Sequence, residues 1–457
     1  MNKNLRNDTI VAPITAWGHS SVGIVRLSGN DSLKILEKIF KPKSNTKVKN
    51  FKSHTIHYGH IYDGKELVDE VLVFTMLKPK SYTREDVVEI SSHGGPLIIK
   101  KILSLCIKNG ARLAQPGEFT KRAYLNGRID LLQAEAVADI INAKSEEALK
   151  ISQRQLKGLF SEKINDFRNQ ILNVATELNA LVDFPEEDIS IDLKNVKGAL
   201  KKVSEEIKNL LKTENLGRIY REGVKIVIAG KTNVGKSTLM NVLSDSERAI
   251  VTPIPGTTRD VIREAIVLDG IPVELYDTAG IRKTARGIIE KMGMKKTKQA
   301  IEEADLILFL FDASKNLDEK DENIMEILAP FKDKTIMVGN KTDLGKKKPQ
   351  KKFGKELVFI SCLKKTGIQH LRKEIIHHMV HGTVISNEEI IITSVRQSEL
   401  LKKTQTLTCT AVKKIDENFF EAILLIEEAL KNLDSLTGKI FREEMIDEIF
   451  SRFCIGK

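Results

Sequence analysis

Cysteine is scarce. The 457 residues hold only four, Cys106, Cys362, Cys409 and Cys454, scattered with no CxxC pair. A disulfide framework or a zinc site is therefore not expected, and a reducing compartment fits. Long apolar runs are missing as well. No uncharged stretch approaches the ~18 residues that a membrane span needs, and residues 1–9 are polar, without the apolar core of a signal peptide. The expectation is a cytoplasmic chain without membrane attachment. There is no internal repeat, no long low-complexity linker, and no RRM or KH signature. Core-forming residues are ample: 41% hydrophobic content builds real cores, and 30% charged residues suit a cytosolic protein. The length calls for two or three domains. A net charge of +11 permits a polyanionic partner such as RNA without demonstrating one. Part of that excess is local, in Lys346, Lys347, Lys348, Lys351, Lys352 and Lys355, which read first as a solvated loop.

Three styles of sequence follow one another. From Asp8 to about Phe119, β-rich runs at 22–27, 71–74 and 87–90 alternate with helical patterns at 33–40 and 97–108. From Lys121 to about Arg221, apolar residues recur three or four apart, as in Leu131, Ala134, Val137, Ala138 and Ile141. At Val224 comes VKIVIAG, a short buried strand running into a glycine turn, and strand–helix alternation lasts to about His381. Helical spacing returns after Ser386, at 419–433 and 445–453. Helical flanks around an α/β segment predict an insertion, with one helical domain built from both flanks.

The α/β segment carries the chemistry. GKTNVGKS (230–237) follows the strand and opens a helix expected near Thr238, the context a phosphate loop requires. Its glycines let N–H groups face the phosphates, and the helix N-terminus adds favourable partial charge. Lys236 is placed to reach the β- and γ-phosphates, and Ser237 to hold Mg²⁺. Alone, this pattern fits any P-loop nucleotide hydrolase. DTAG (277–280) follows an apolar strand at 273–276; Asp277 can meet the metal through water and the Gly280 amide can sense the γ-phosphate. GTTRD (256–260) supplies Thr258, a switch threonine that closes the Mg²⁺ shell. NKTD (340–343) follows a strand at 335–338. There the Asp343 carboxylate would accept from the guanine N1–H and exocyclic amine, which adenine cannot offer. Ser361, after a strand at 357–360, can support it through its amide. Each motif alone has an ordinary reading, since turn glycines and strand-end aspartates are common. Four in this order point to a Ras-like α/β P-loop GTPase, a phosphoric anhydride hydrolase. Water activation stays open. Ile281 stands where many small GTPases have glutamine, so a cation, a partner's residue or a carboxylate such as Glu290 must help.

Further segments carry a family resemblance: DTIVA near the start, SYTREDVVEISSHGG (81–95), PGEFTKRAYLNGRIDLLQAEAVADII (116–141), DFPEED (183–188), ERAIVTPIPGTTRD (247–260) and FCIGK (453–457). Over essentially its whole length the chain resembles the tRNA-modification GTPase family MnmE, also called TrmE. The resemblance implies a multidomain fold, α/β plus all-α: an N-terminal α+β folate-binding and dimerising domain (1–119), a discontinuous helical domain (120–221 and 385–457) and an inserted P-loop GTPase domain (222–384). It further implies a homodimer working with a flavoprotein partner, MnmG, in a heterotetramer. Together they add an aminomethyl or carboxymethylaminomethyl group to C5 of the wobble uridine of certain tRNAs. The one-carbon unit comes from a tetrahydrofolate derivative, the 5-formyl or methylene form.

The resemblance also implies individual roles. K⁺ takes the place of an arginine finger, held by the Asn233 side chain and by oxygens of Thr252, Ile254 and Thr257; Ile281 fits, because the family also lacks glutamine there. The family's water-orienting glutamate lies three residues before a glycine, which selects Glu290 ahead of Gly293, although the segment between DTAG and that glutamate is one residue longer here. Glu290, Lys236 and Thr258 form the expected catalytic set. GTP is expected to touch Asn233, Val234, Gly235, Lys236, Ser237, Thr238, Thr252, Thr257, Thr258, Asp277, Thr278, Ala279, Gly280, Asn340, Lys341, Asp343 and Ser361, with Mg²⁺ on Ser237 and Thr258. The folate site maps to Arg26, Glu89, Arg128 and Lys457. Cations suit folate's carboxylates and Glu89 can accept from pterin N–H groups, although each residue alone reads as ordinary surface charge. Arg128 stands where some relatives have lysine, which alters the geometry.

The chain departs from the family in places. AWGHSS (16–21), with the single tryptophan Trp17 and with His19, replaces a PPGRGG-type loop, which puts folate affinity in question. Gln397 follows Arg396 where histidine is common, with no consequence attached. FCIGK makes a poor prenylation box, so Cys454 is read as a packing thiol or a redox group near the one-carbon site. Two other readings compete. A ribosome-maturation switch needs neither the 116–141 signature nor FCIGK, and a binder without turnover conflicts with intact Lys236, Ser237, Thr258 and Asp277.

Overall fold

A computed structural model describes residues 8–183, 192–245, 263–277, 298–349, 353–354, 356–380, 390–440, 443–451 and 453–457. Contacts group the chain into two units. One comprises Met1–Ala138, Gln155–Asn169 and Leu430–Lys457; the other comprises Asp139–Arg154 and Gln170–Ala429. Among the described residues, no helix is long and apolar enough to cross a membrane.

The first unit holds a seven-stranded sheet: β1 (Ile10–Pro13), β2 (Ser20–Ser28), β3 (Phe40–Pro42), β4 (Thr55–Asp63), β5 (Glu66–Met76), β6 (Val87–Gly94) and β7 (Arg112–Leu113), in the order β3-β4-β5-β6-β2-β1-β7. Alternation along the strands decides which face is covered. Val25, Leu27, Val71, Val73, Val88 and Ile90 are buried in one core with Ile35, Leu36, Ile99, Ile102 and Leu105 from the helices Ser32–Ile39 and Pro96–Lys108. Arg26 and Glu89, out of phase with those positions, therefore lie on the opposite face, directly paired in register. The helical pattern expected at 33–40 ends at Ile39, and Phe40 starts β3 instead.

Helices from both ends of the chain pair with one another. In the first unit Tyr124, Leu131 and Ala134 are buried with Ile446, Phe450 and Phe453, and the Tyr124 hydroxyl donates to the Gly438 carbonyl at 2.6 Å. In the second unit helix Leu193–Leu211 packs along Val395–Glu417. Val196, Leu200, Val203 and Ile207 are buried on the first helix; Leu401, Thr404, Thr408 and Ala411 are buried on the second. The helical region is discontinuous, and the α/β domain is inserted in it.

That domain is built on β8 (Val224–Ala229), β9 (Arg263–Leu268), β10 (Ile271–Asp277), β11 (Leu306–Asp312), β12 (Thr335–Asn340) and β13 (Glu356–Phe359), in the order β13-β12-β11-β8-β10-β9. All neighbours are parallel except β9 against β10. Every residue of β11, LILFLFD, is buried, as befits a parallel strand covered on both faces. The helix expected near Thr238 begins at Lys236.

Candidate active site

In a parallel sheet the carboxyl ends of the strands open onto a ligand crevice, and here those ends carry the expected motifs. After β8 the backbone turns through Gly230 (φ +155°), Asn233 (φ +63°) and Gly235 (φ +101°) into helix Lys236–Ser244. A Cβ at Gly230 would come within 2.3 Å of the Leu310 carbonyl, and one at Gly235 within 2.4 Å of Asn340 Nδ2. The two positions need glycine for room as well as for dihedral freedom. The Lys236 ammonium is buried in this loop and donates to the carbonyls of Gly230 (2.9 Å) and Lys231 (2.8 Å).

Ser237 Oγ donates to Asp277 Oδ2 at 2.9 Å, joining the first turn of the helix to the end of β10. A hydroxyl and a buried carboxylate converging at the phosphate loop form a hard-oxygen pair of the kind Mg²⁺ prefers, so the residues present fit that ion. Asn340 ties the two halves of the crevice together: its Nδ2 donates to the Val234 carbonyl at 2.8 Å, and its Oδ1 accepts from the Cys362 amide at 3.0 Å. Lys341 pairs with Asp312 Oδ2 at 2.9 Å. Burial opposes the Asp312 charge, but the Ser314 hydroxyl and the Lys341 ammonium outweigh it and lower its pKa.

At the NKTD segment, Ser361 Oγ donates to Asp343 Oδ1, and that bond holds the Asp343 carboxyl below its ordinary range. The Ser361 amide donates to the Thr366 carbonyl at 3.0 Å in a short antiparallel bridge, and the Ser361 hydroxyl is the group that meets Asp343. Asn233, Ser237 and Thr238 are exposed at the loop surface, whereas Val234 is buried. Thr252, Ile254, Thr257, Thr258, Thr278, Ala279, Gly280 and Glu290 lie outside the described residues. Of the expected K⁺ ligands, Asn233 alone is described. Sequence reasoning missed Asp312, which closes a plain apolar strand and meets Lys341 only through the fold.

The candidate folate residues also gather. Arg26 and Glu89 form an ion pair at 2.7 Å. The Arg26 guanidinium carbon lies 5.6 Å from the Tyr82 ring centroid and 5.5 Å from that of Phe119, and the Arg128 guanidinium carbon lies 4.6 Å from Tyr82. The Phe119 amide donates to the Lys457 carbonyl at 3.2 Å. Tyr82, between two guanidiniums, was not singled out from sequence; only its place in SYTREDVVE marked it. The cations and the carboxylate fit a folate tail and pterin edge, although Arg26 and Glu89 already satisfy one another. Trp17 is 64% exposed, and Cys454 is exposed too. Gln397 is fully buried and completes a capping box with Ser394 at the start of helix Val395–Glu417, a structural role that the sequence reading left blank.

Family models match the chain over the MnmE helical domain at residues 131–454 and over the GTP-binding protein TrmE N-terminus at residues 9–128. The chain belongs to the MnmE family. A tRNA modification GTPase MnmE from Thermoanaerobacter pseudethanolicus is 46% identical across 98% of this chain and 99% of its own. One from Acetivibrio thermocellus is 44% identical across 99% and 100%, and one from a Thermotoga species 43% across 98% and 100%. A crystal structure of Aquifex aeolicus Era is 28% identical, covering 40% of this chain and 66% of that one, with a TM-score of 0.28. As a member of the MnmE family, the protein is a GTP-hydrolysing enzyme.

Proposed function

We propose that this MnmE-family GTPase couples GTP hydrolysis to modification of the wobble uridine of tRNA. It would work as a homodimer, together with a flavoprotein partner of the MnmG kind, in a heterotetramer. The product would be an aminomethyl or carboxymethylaminomethyl group at C5. The single observation that carries the reading is likeness along 98% or more of the chain to curated tRNA modification GTPases, at 43–46% identity. The proposed division is 1–119 for folate binding and dimerisation, 120–221 with 385–457 for the helical domain, and 222–384 for the GTPase.

In the mechanism, Lys236 holds the β- and γ-phosphates while Ser237 and Thr258 orient the metal shell, with Asp277 behind Ser237. Mg²⁺ and K⁺, when bound, neutralise charge that develops on the transferring phosphoryl group. Asn233, with Thr252, Ile254 and Thr257, supplies the K⁺ oxygens. Glu290 orients the attacking water, because Ile281 has no polar atom for that task. Asp343 selects guanine over adenine. Arg26, Glu89, Arg128 and Lys457 bind the tetrahydrofolate derivative; their gathering around Tyr82 and Phe119 supports this reading. Nucleoside analysis of tRNA from cells lacking the protein tests the function: loss of the modified wobble uridine is expected, and an unchanged profile would remove the reading.

A further inference from the structure

Lys231 follows the first glycine of the phosphate loop, yet its side chain points away from the loop glycines toward another element. Its Nζ lies 2.7 Å from Asp318 Oδ2 and 2.7 Å from Asp321 Oδ2. The two aspartates form the capping box of helix Glu319–Leu328. Asp321 is 1% exposed, and its other carboxylate oxygen, also buried, has no hydrogen-bond partner. A buried carboxylate so placed depends on a cation within reach, and Lys231 is that cation. Burial works against the Lys231 charge, but the two carboxylates prevail and raise its pKa.

The same residue touches the reaction from its backbone. The Lys231 carbonyl accepts from the Lys236 ammonium at 2.8 Å, beside the Gly230 carbonyl at 2.9 Å. These two carbonyls are among the groups that hold the ammonium in place. A carbonyl can aim an ammonium only as well as its own peptide is held, and the ion pair to helix Glu319–Leu328 holds that peptide. We propose that Lys231 is a positioning residue for GTP hydrolysis: it anchors the phosphate loop to Asp318 and Asp321 and so fixes the carbonyl that aims Lys236 at the β- and γ-phosphates. The inference rests on hydrolysis at this loop.

The full-length protein carries the test. Lys231→Met keeps most of the stem and removes the charge. It is expected to lower kcat at saturating GTP by about tenfold or more, since small misplacements of a reacting group are costly. It is also expected to weaken GTP more than GDP, because the γ-phosphate is present only in GTP. Lys231→Arg, which can bridge two carboxylates, is expected to restore kcat to within about threefold. The double variant K231M/D321N removes the orphaned charge, so it separates stability from positioning: it should recover the thermal midpoint lost in K231M but not kcat. Recovery of kcat together with the midpoint would overturn the proposal, as would K231M turning over at the parental rate while K236A is inactive. If K236A itself retained turnover, the reading of the phosphate site would fall instead.

Discussion

In the proposed mechanism base choice rests on Asp343, and one hydroxyl bears directly on that carboxylate. Ser361 Oγ donates to one carboxylate oxygen, which keeps the group ionised and oriented toward a ligand offering two donors. Asp343→Asn exchanges an acceptor for a donor against the guanine amine, so GTP affinity is expected to fall by roughly a hundredfold; a fluorescent-nucleotide titration reads this directly. His93 offers a test by pH. Its Nδ1 lies 2.8 Å from Asp69 Oδ1, and that hydrogen bond, with the carboxylate's attraction, raises its pKa above the ordinary 6.5. A group whose folded pKa is raised stabilises below its unfolded value and loses that contribution as pH climbs through the folded value. The contribution of this pair to the thermal midpoint should therefore be larger at pH 6 than at pH 8.5, so that Asp69→Asn lowers the midpoint more at pH 6 than at pH 8.5. Residue-scale chemistry was legible where a motif is contiguous, as in GKTNVGKS and NKTD. It was not legible for Lys231 with Asp318, or for Arg26 and Arg128 about Tyr82, because those partners meet only through the fold; Lys231 and Asp318 are 87 residues apart in sequence.

Elements were read well where apolar spacing is regular and poorly where it is not. β11, apolar up to its final Asp312, and the helices Leu193–Leu211 and Val395–Glu417 fall inside the regions expected. β4 reads TIHYGHIYD, with histidine and tyrosine between its apolar residues, and β9 has only six residues, so neither presents a clean period. The start of helix Val395–Glu417 was hidden differently. Ser394 and Gln397 match the S-x-x-Q capping box, in which Ser394 accepts from the Gln397 amide at 3.2 Å and the Gln397 side chain accepts from the Ser394 amide at 3.4 Å. Ser394→Ala removes one half of that exchange. It should cost about 1 kcal/mol of stability, measurable by urea unfolding at constant m-value, with no change in GTP affinity.

For the whole molecule, the insertion was legible because two helical stretches with the same spacing bracket a segment of another style. Its meaning became structural through the pairs that cross it, such as Lys197 with Asp416 and Lys402 with Glu214. The proposed function at this scale joins GTPase domains from two copies around a cation. GTP hydrolysis should accordingly run several-fold faster in K⁺ than in Na⁺ at matched ionic strength, a difference that Asn233→Ala removes, as steady-state phosphate release would show. Equal rates in the two salts would mean that another group supplies the charge.

The long-range pairing in the first unit also has a bearing on how the chain is made. Lys121 binds Asp447, 326 residues later, and Tyr124 is covered by Phe450 and Phe453. At a synthesis rate of ~5–20 residues per second, helix Glu118–Leu125 leaves the ribosome on the order of twenty seconds to a minute before its partners exist. Throughout that interval an apolar face that is sealed in the finished protein has no partner of its own chain to cover it.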